Sequence, residues 1–392
     1  MMKQQSLKLA IGLVLSGAVI PAVAEVTLYD YTEATSAYED AYLSASANIS
    51  KSRGDAQTGY DLNLKGDYEK VISTPRRDKT VKLNADGQVS RASTAGATST
   101  DVYTAGASTT VDTYFREGSK GGFWFGKASI GANSESNDLD TALGLGIGYG
   151  RVVNVTPMAK AIRLVDALKQ GGSIRRKPSK AVYNQIAQII AKDSEYASKY
   201  GRKDYQKSWI GDIESALKSA GVLSSANLSA AGVLDIRQVL VDERISTRKH
   251  GWKVRAGLNY VGSNFSGIKN KPGLELGAEY HRPISNRTQF SNEAVLSTVF
   301  DSSASDAYKL RNQMTLTHEV DSRIDWENTW ALDYNKVAGG SDITTNTLSS
   351  TFLYELSNSL DYSISAKLTD TNGTANDGLD KSLNMGIRYR LK

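Results

Sequence analysis

The sequence predicts a mainly β fold: an antiparallel transmembrane β-barrel of about fourteen strands, interrupted by an inserted α-helical domain. Three observations predict it. Long stretches alternate apolar and polar residues with a period of two. Tyr60, Leu62, Leu64 and Tyr68, for example, oppose Asp61, Asn63, Lys65 and Asp67. These stretches run roughly nine to fifteen residues, where strands of soluble proteins average five or six, and many carry aromatic residues near an end of the apolar face, as belts at membrane interfaces require. Finally, residues from Thr156 to Ser246 switch to a helical period. In hydrocarbon every backbone donor and acceptor needs a partner, so only a closed barrel satisfies strands with one apolar face turned to lipid.

Residues 1–24 read as a secretory signal peptide. Lys3 and Lys8 lead an apolar stretch from Leu9 to Ile20, and Ala22-Val23-Ala24 forms a small-residue cleavage site. The chain has no cysteine, which excludes a lipid-anchored cysteine, a disulfide framework and a thiolate metal site. Mean hydropathy is −0.37, and no stretch beyond the leader is long and apolar enough for a transmembrane helix. Residues 25–40 alternate less regularly and read as an N-terminal periplasmic segment.

The first part of the barrel is expected over 41–150. Its six strands are expected near 41–50, 58–70, 79–91, 102–115, 121–133 and 138–150. The sixth is unusual. Leu143, Leu145, Ile147 and Tyr149 would face lipid, while Gly144, Gly146, Gly148 and Gly150 would face the lumen. Glycines on a strand face permit close approach of backbone or of a helix. The first helix of the insert is therefore expected to tuck against this wall.

The insert is expected over 151–248. Thr156 can cap a helix and Pro157 suits its first turn. Met158, Ala161, Ile162, Val165 and Leu168 recur at helical spacing until Gly171 and Gly172. Three further stripes follow: Val182, Ile186, Ile189 and Ile190; then Trp209, Ile210, Ile213 and Leu217; then Val233, Ile236, Val239 and Leu240. The pattern is a small bundle of four helices. From Arg151 to His250 there are 18 Lys and Arg against 9 Asp and Glu, a net +9, while the whole chain is +5. Arg175, Arg176, Lys177 and Lys180, with Arg202 and Lys203, form a basic patch; Arg244, Arg248 and Lys249 form another cluster. Such clusters attract anionic surfaces. After a secretory leader, a periplasmic protein or an anionic polymer is the expected partner, and nucleic acid is not.

The second part of the barrel is expected over 249–392. Its eight strands are expected near 249–261, 272–282, 287–300, 307–319, 323–336, 343–356, 359–369 and 380–391. Connections after Ser246 alternate long and short, and outer-membrane barrels carry their short turns on the periplasmic side. With both termini periplasmic, the sixth strand descends, so the insert is expected in the periplasm, mostly hanging below the barrel. The inward faces bring Lys253, Arg255, Lys309, Arg311 and Arg388 together with Glu275, Glu279, Asp325 and Glu327. This mixed lining suits a water-filled path without strong preference for one sign of ion.

The last strand carries a motif. Asn384, Gly386, Tyr389 and Leu391 stand at polar-x-Gly-x-x-aromatic-x-hydrophobic spacing, with Lys392 one residue beyond. This resembles the C-terminal assembly signal of bacterial outer-membrane β-barrel proteins, the porin-like class. The resemblance implies an outer membrane, its lipid, and the barrel-assembly machinery as partners.

No catalytic, cofactor or metal site is expected. His250, His281 and His318 lack metal-ligand spacing. His281, Ser285 and Asn286 are of the residue types used by outer-membrane phospholipases, but Ser285 and Asn286 fall in a short turn expected on the periplasmic side. The functional expectation is an outer-membrane channel or transport barrel. The alternative is an anchored interaction protein whose insert binds a periplasmic partner or assists export of a surface polymer.

Overall fold

The computed structural model describes residues 25–391, except 34, 52, 202, 266, 302–305, 338–339 and 375–376. The leader at 1–24 and Arg202 of the basic patch lie outside the described residues. Fourteen antiparallel strands close into one barrel in sequence order, with the last beside the first. They are β1 (Ser36–Ser50), β2 (Gly59–Ser73), β3 (Arg77–Arg91), β4 (Thr100–Tyr114), β5 (Gly122–Asn133), β6 (Asp140–Asn154), β7 (Lys249–Ser263), β8 (Lys269–Pro283), β9 (Thr288–Val299), β10 (Asp306–Glu319), β11 (Ile324–Val337), β12 (Ile343–Ser357), β13 (Leu360–Asn372) and β14 (Gly378–Arg390).

A strand of this length rises about 40–50 Å, so even when tilted it overshoots a hydrocarbon core of about 30 Å. That overshoot explains two corrections to the expected boundaries. β1 starts at Ser36 rather than 41, and β6 runs on to Asn154 rather than 150. Beyond the apolar band the outward face turns polar: Glu39 sits there, ion-paired to Lys70 at 3.7 Å. The alternation therefore ends before the strand does.

Leu143, Leu145 and Ile147 of β6 and Leu258 of β7 stand exposed on the outer face. Aromatic pairs brace that face, among them Trp326 and Phe352, stacked with centroids 5.6 Å apart. At one end the strands are joined by connections of two to seven residues and by the insert; at the other by loops of five to eight.

Five helices make up the insert: α1 (Thr156–Gln170), α2 (Lys180–Ile190), α3 (Asp193–Tyr200), α4 (Tyr205–Ser219) and α5 (Ala230–Arg237), the last continuing into a π-helical turn, Gln238–Asp242. The fifth helix beyond the expected four is α3. It buries no residue, so it has no apolar stripe to read. Met158, Leu164 and Leu168 of α1 meet Ile186 of α2, Ile213 and Leu217 of α4 and Ile236 of α5 in one core. Leu28 and Tyr31, from the segment before β1, belong to the same core. That segment is thus a strap across the insert.

Thr156 does not cap α1 as expected; it is the first helical residue, and Val155 occupies the cap position. Its hydroxyl instead accepts the Arg248 N–H at 2.9 Å, while the Val155 N–H donates to the Arg248 carbonyl at 2.8 Å. The two ends of the insert are tied together where Asn154 pairs with Lys249 at the foot of β6 and β7.

Candidate functional site

The inner wall is a set of charged side chains held against each other. On β7, Lys253 and Arg255 both reach Asp112 of β4, at 2.8 and 2.9 Å. Arg255 also pairs with Glu279 of β8. Nearer the far end, Lys127 of β5 pairs with Glu275 at 2.9 Å. Arg311 of β10 pairs with Asp333 of β11 at 3.0 Å, and Lys309 lines a cavity of about 260 Å³ beside Lys127 and Glu275. Opposite charges on facing strands neutralise one another, so the wall presents no field of a single sign.

The glycines of β6 take a different occupant from the expected helix. A Cβ at Gly148 would lie 2.2 Å from the Phe123 ring, and one at Gly146 2.7 Å from Phe125 and 2.3 Å from the Ala256 carbonyl oxygen. The inward-pointing rings of β5 fill this gutter, and Phe123, Phe125 and Tyr114 form a small core of their own inside the barrel. Gly144 has only ordinary contacts, with Lys127 and the Leu258 carbonyl, and Gly150 holds a positive φ of 100° close to the Trp252 carbonyl. Two phenylalanines one strand away provided the large partner that the glycines accommodate; an aromatic directly across a strand pair from glycine was the available signal.

At the insert end the helices are fixed to the barrel rim by buried ion pairs. Glu319, at the end of β10, accepts from Arg163 of α1 and, at 2.6 Å, from Arg248. It also accepts the Ser246 N–H at 2.9 Å. Arg163 reaches back to Glu243 at 2.9 Å. Asp361 of β13 pairs with Arg244 and, at 3.1 Å, with Arg388 of β14, whose guanidinium lies over the Tyr42 ring. Burial pulls the Arg248 guanidinium below its ordinary pKa. The cluster read as a surface patch at Arg244 and Arg248 is therefore interior. Its position directly before a strand that starts at the rim was the overlooked signal.

The strap closes the opposite side of the rim. Glu33 pairs with Arg151 at 3.1 Å, and Arg151 with Asp78 at 3.1 Å. Arg151 also donates to the carbonyls of Thr74 and Pro75 and stacks over Tyr114 at 4.6 Å. Burial pushes the Glu33 carboxyl above the usual carboxylate range.

Between the insert and the wall lies a cavity of about 600 Å³, lined by Lys160, Arg244, Arg388 and Arg390 and by Asp40, Asp325 and Glu327. Burial pulls the Lys160 ammonium below its ordinary pKa. A second cavity in the lumen, of about 300 Å³, is lined by Glu69, Lys82, Lys253, Arg255, Glu279 and Glu293.

The basic patch on the insert is partly neutralised. Lys177 pairs with Asp166 at 2.8 Å and Lys180 with Asp30 of the strap at 3.0 Å. Arg175 donates to the Ser224 carbonyl at 2.9 Å; Arg176 and Lys203 are exposed. Asn384, Gly386 and Tyr389 lie on β14 and Leu391 directly follows it; Tyr389 and Leu391 are exposed on the outside. His281 bonds Ser291 at 2.9 Å rather than Ser285, whose hydroxyl meets Thr288 at 3.1 Å. Among the described residues no cluster of metal-ligating side chains occurs.

A closed antiparallel barrel of fourteen strands, apolar outside and charged within, defines an outer-membrane β-barrel protein. Residues 243–356 match the family described as "Protein of unknown function, DUF481". No curated protein matches the chain. Solved structures similar to it include CdiB from Escherichia coli, at 7% identity over 89% of this chain and with a TM-score of 0.40. The Acinetobacter baumannii outer membrane protein Omp33 aligns at 8% identity over 91% of this chain and 99% of its own, TM-score 0.33. An anion-selective porin from Comamonas acidovorans aligns at 8% identity over 91% of this chain and 100% of its own, TM-score 0.35. The chain spans 63% of the length of CdiB.

Proposed function

We propose that this protein is an outer-membrane channel whose helical insert sits on the periplasmic side and closes that mouth as a lid. One observation carries the reading: Glu319 and Asp361, on the barrel wall, each bind two arginines, and at least one of each pair comes from the insert. A domain that merely hung from its two junctions would need no such bolts. The polar cavities beneath it are the segments of a water path that the lid interrupts. Short connections at the insert end support the periplasmic orientation.

Planar-bilayer recording tests the channel. Wild-type protein should pass little current, and protein lacking 156–246 should conduct steadily. Absence of conductance and of solute uptake in both would refute it. Single cysteines test the orientation, because the chain has none of its own. Lys203→Cys should react with a membrane-impermeant thiol reagent only after the outer membrane is permeabilised, and Thr98→Cys, in a loop at the far end, on intact cells. Reaction of Lys203→Cys on intact cells would reverse the orientation. The reading of the insert as a docking module for an anionic polymer has less support, because Lys177 and Lys180 are already paired within the chain.

A further inference from the structure

The barrel closes unevenly. Every other seam holds at least ten residue pairs. The closing seam between β1 and β14 holds five, from Tyr42 opposite Arg390 to Ser46 opposite Gly386. There the ladder stops, although β1 runs on to Ser50 and β14 begins at Gly378. Continuing the register would set Asn48 opposite Asn384. Instead Asn384 donates to Ser382 of its own strand at 3.2 Å. Ala47–Ser50 and Gly378–Met385 are exposed on both faces, as strands are when they splay.

The outer side of the split opens on an apolar groove of about 790 Å³, lined by Ala47, Leu62, Leu64, Val89, Met385 and Ile387. These side chains continue the lipid-facing band. The inner side is polar, with Asn48, Ser382 and Asn384 on the face that Arg388 shares. Backbone groups on unpaired strand edges need a polar partner that hydrocarbon cannot supply, so pure alkyl chains cannot fill the split; its inner side must be wet. A gap wet within and apolar without matches one chemistry: a lipid with its head toward the lumen and its acyl chain in the groove.

We infer that the β1–β14 seam is a lateral portal that seats the acyl chain of a lipid of the surrounding membrane, connecting the lumen sideways to the bilayer. This route is separate from the axial one closed by the insert, and it stands whether or not the axial route conducts.

Paired cysteines in the full chain test it. Ala45→Cys with Ile387→Cys, within the ladder, should oxidise spontaneously to an intramolecular disulfide. Asn48→Cys with Asn384→Cys should stay reduced and accept a maleimide; Ser50→Cys with Ser382→Cys serves if the first pair fails to give an SDS-resistant barrel. The occupant is read with a phospholipid carrying a diazirine in its acyl chain, in phosphatidylcholine vesicles. Photolabelling should concentrate at Leu62, Leu64 and Met385 over Leu258 and Leu276 on the opposite wall. It should be lost when a short bifunctional thiol reagent zips the Asn48→Cys/Asn384→Cys seam. Complete spontaneous oxidation of that pair, or labelling spread evenly around the barrel, would overturn the portal. Disulfide-linked dimers through Asn48→Cys would overturn it in favour of a strand from a second copy.

Discussion

At the insert end of the barrel, Arg248 and Glu319 pair with 0% and 2% of their side-chain surface exposed. At the far end, Arg311 and Asp333 pair with 77% and 49% exposed. The chemistry is the same and the consequence is not. In the buried pair each charge has surrendered its water, so removing one partner strands the other. In the exposed pair water replaces whatever is removed. The insert is therefore held to the rim by a few irreplaceable contacts, whereas the far mouth tolerates change.

Four substitutions sharpen that contrast. The largest effect is expected from Glu319→Ala, which leaves Arg163 and Arg248 without their shared acceptor. Breaking a buried pair costs about 3–5 kcal/mol, and here the loss falls on the attachment of the insert to the rim, so if the insert closes the mouth as proposed, single-channel recording should show longer open times than in wild type. Unchanged open times would mean that the lid does not rest on this bolt. Next is Gly148→Ala, whose new methyl must displace Phe123 and the Val254 carbonyl from contacts of 2.2 and 2.6 Å. Overpacking of this kind costs about 1–3 kcal/mol, to be read as a lower urea midpoint of unfolding. A midpoint equal to wild type would show that the ring moves freely in its gutter.

Glu33 gives a smaller effect that depends on pH. Its carboxyl holds the proton more tightly with the strap docked than released. Docking is thus most favoured below the ordinary carboxylate pKa, and the extra stability is lost as pH rises through the raised value. Hydrogen exchange of residues 25–33 should accelerate over that interval beyond the intrinsic pH trend, and Glu33→Gln should flatten the excess. The smallest change is expected for Asp333→Asn at the far end. Exposed pairs contribute about 0–1 kcal/mol, so its unfolding midpoint should stay near wild type; a loss as large as that of Glu319→Ala would abolish the contrast between the two mouths.

Much of the wall was legible in the sequence because side-chain direction in a strand is a local property. Once Trp252, Val254 and Leu258 are seen to face outward, Lys253 and Arg255 must face inward, whatever the rest of the chain does. The stripes of α1, α2 and α4 were legible for the same reason. Where both faces of an element are polar, as at the foot of β1 or along α3, that signal vanishes, and the boundary or the helix was missed.

The site depended on information of another kind. The sequence by itself determined that Lys253 and Glu279 share a lumen, that Gly144, Gly146, Gly148 and Gly150 line it, and that a basic helical stretch, read over 151–248, interrupts the barrel. It did not determine that Arg248 meets Glu319, 71 residues on, that Phe123 and Phe125 take the space beside the glycines, or that β1 and β14 part after Ser46. Those outcomes depend on the shape of the closed ring. Barrel closure sets the stagger between strands, the stagger decides which side chains reach the same level of the lumen, and only at that level does a charge find its partner or a strand edge lose one.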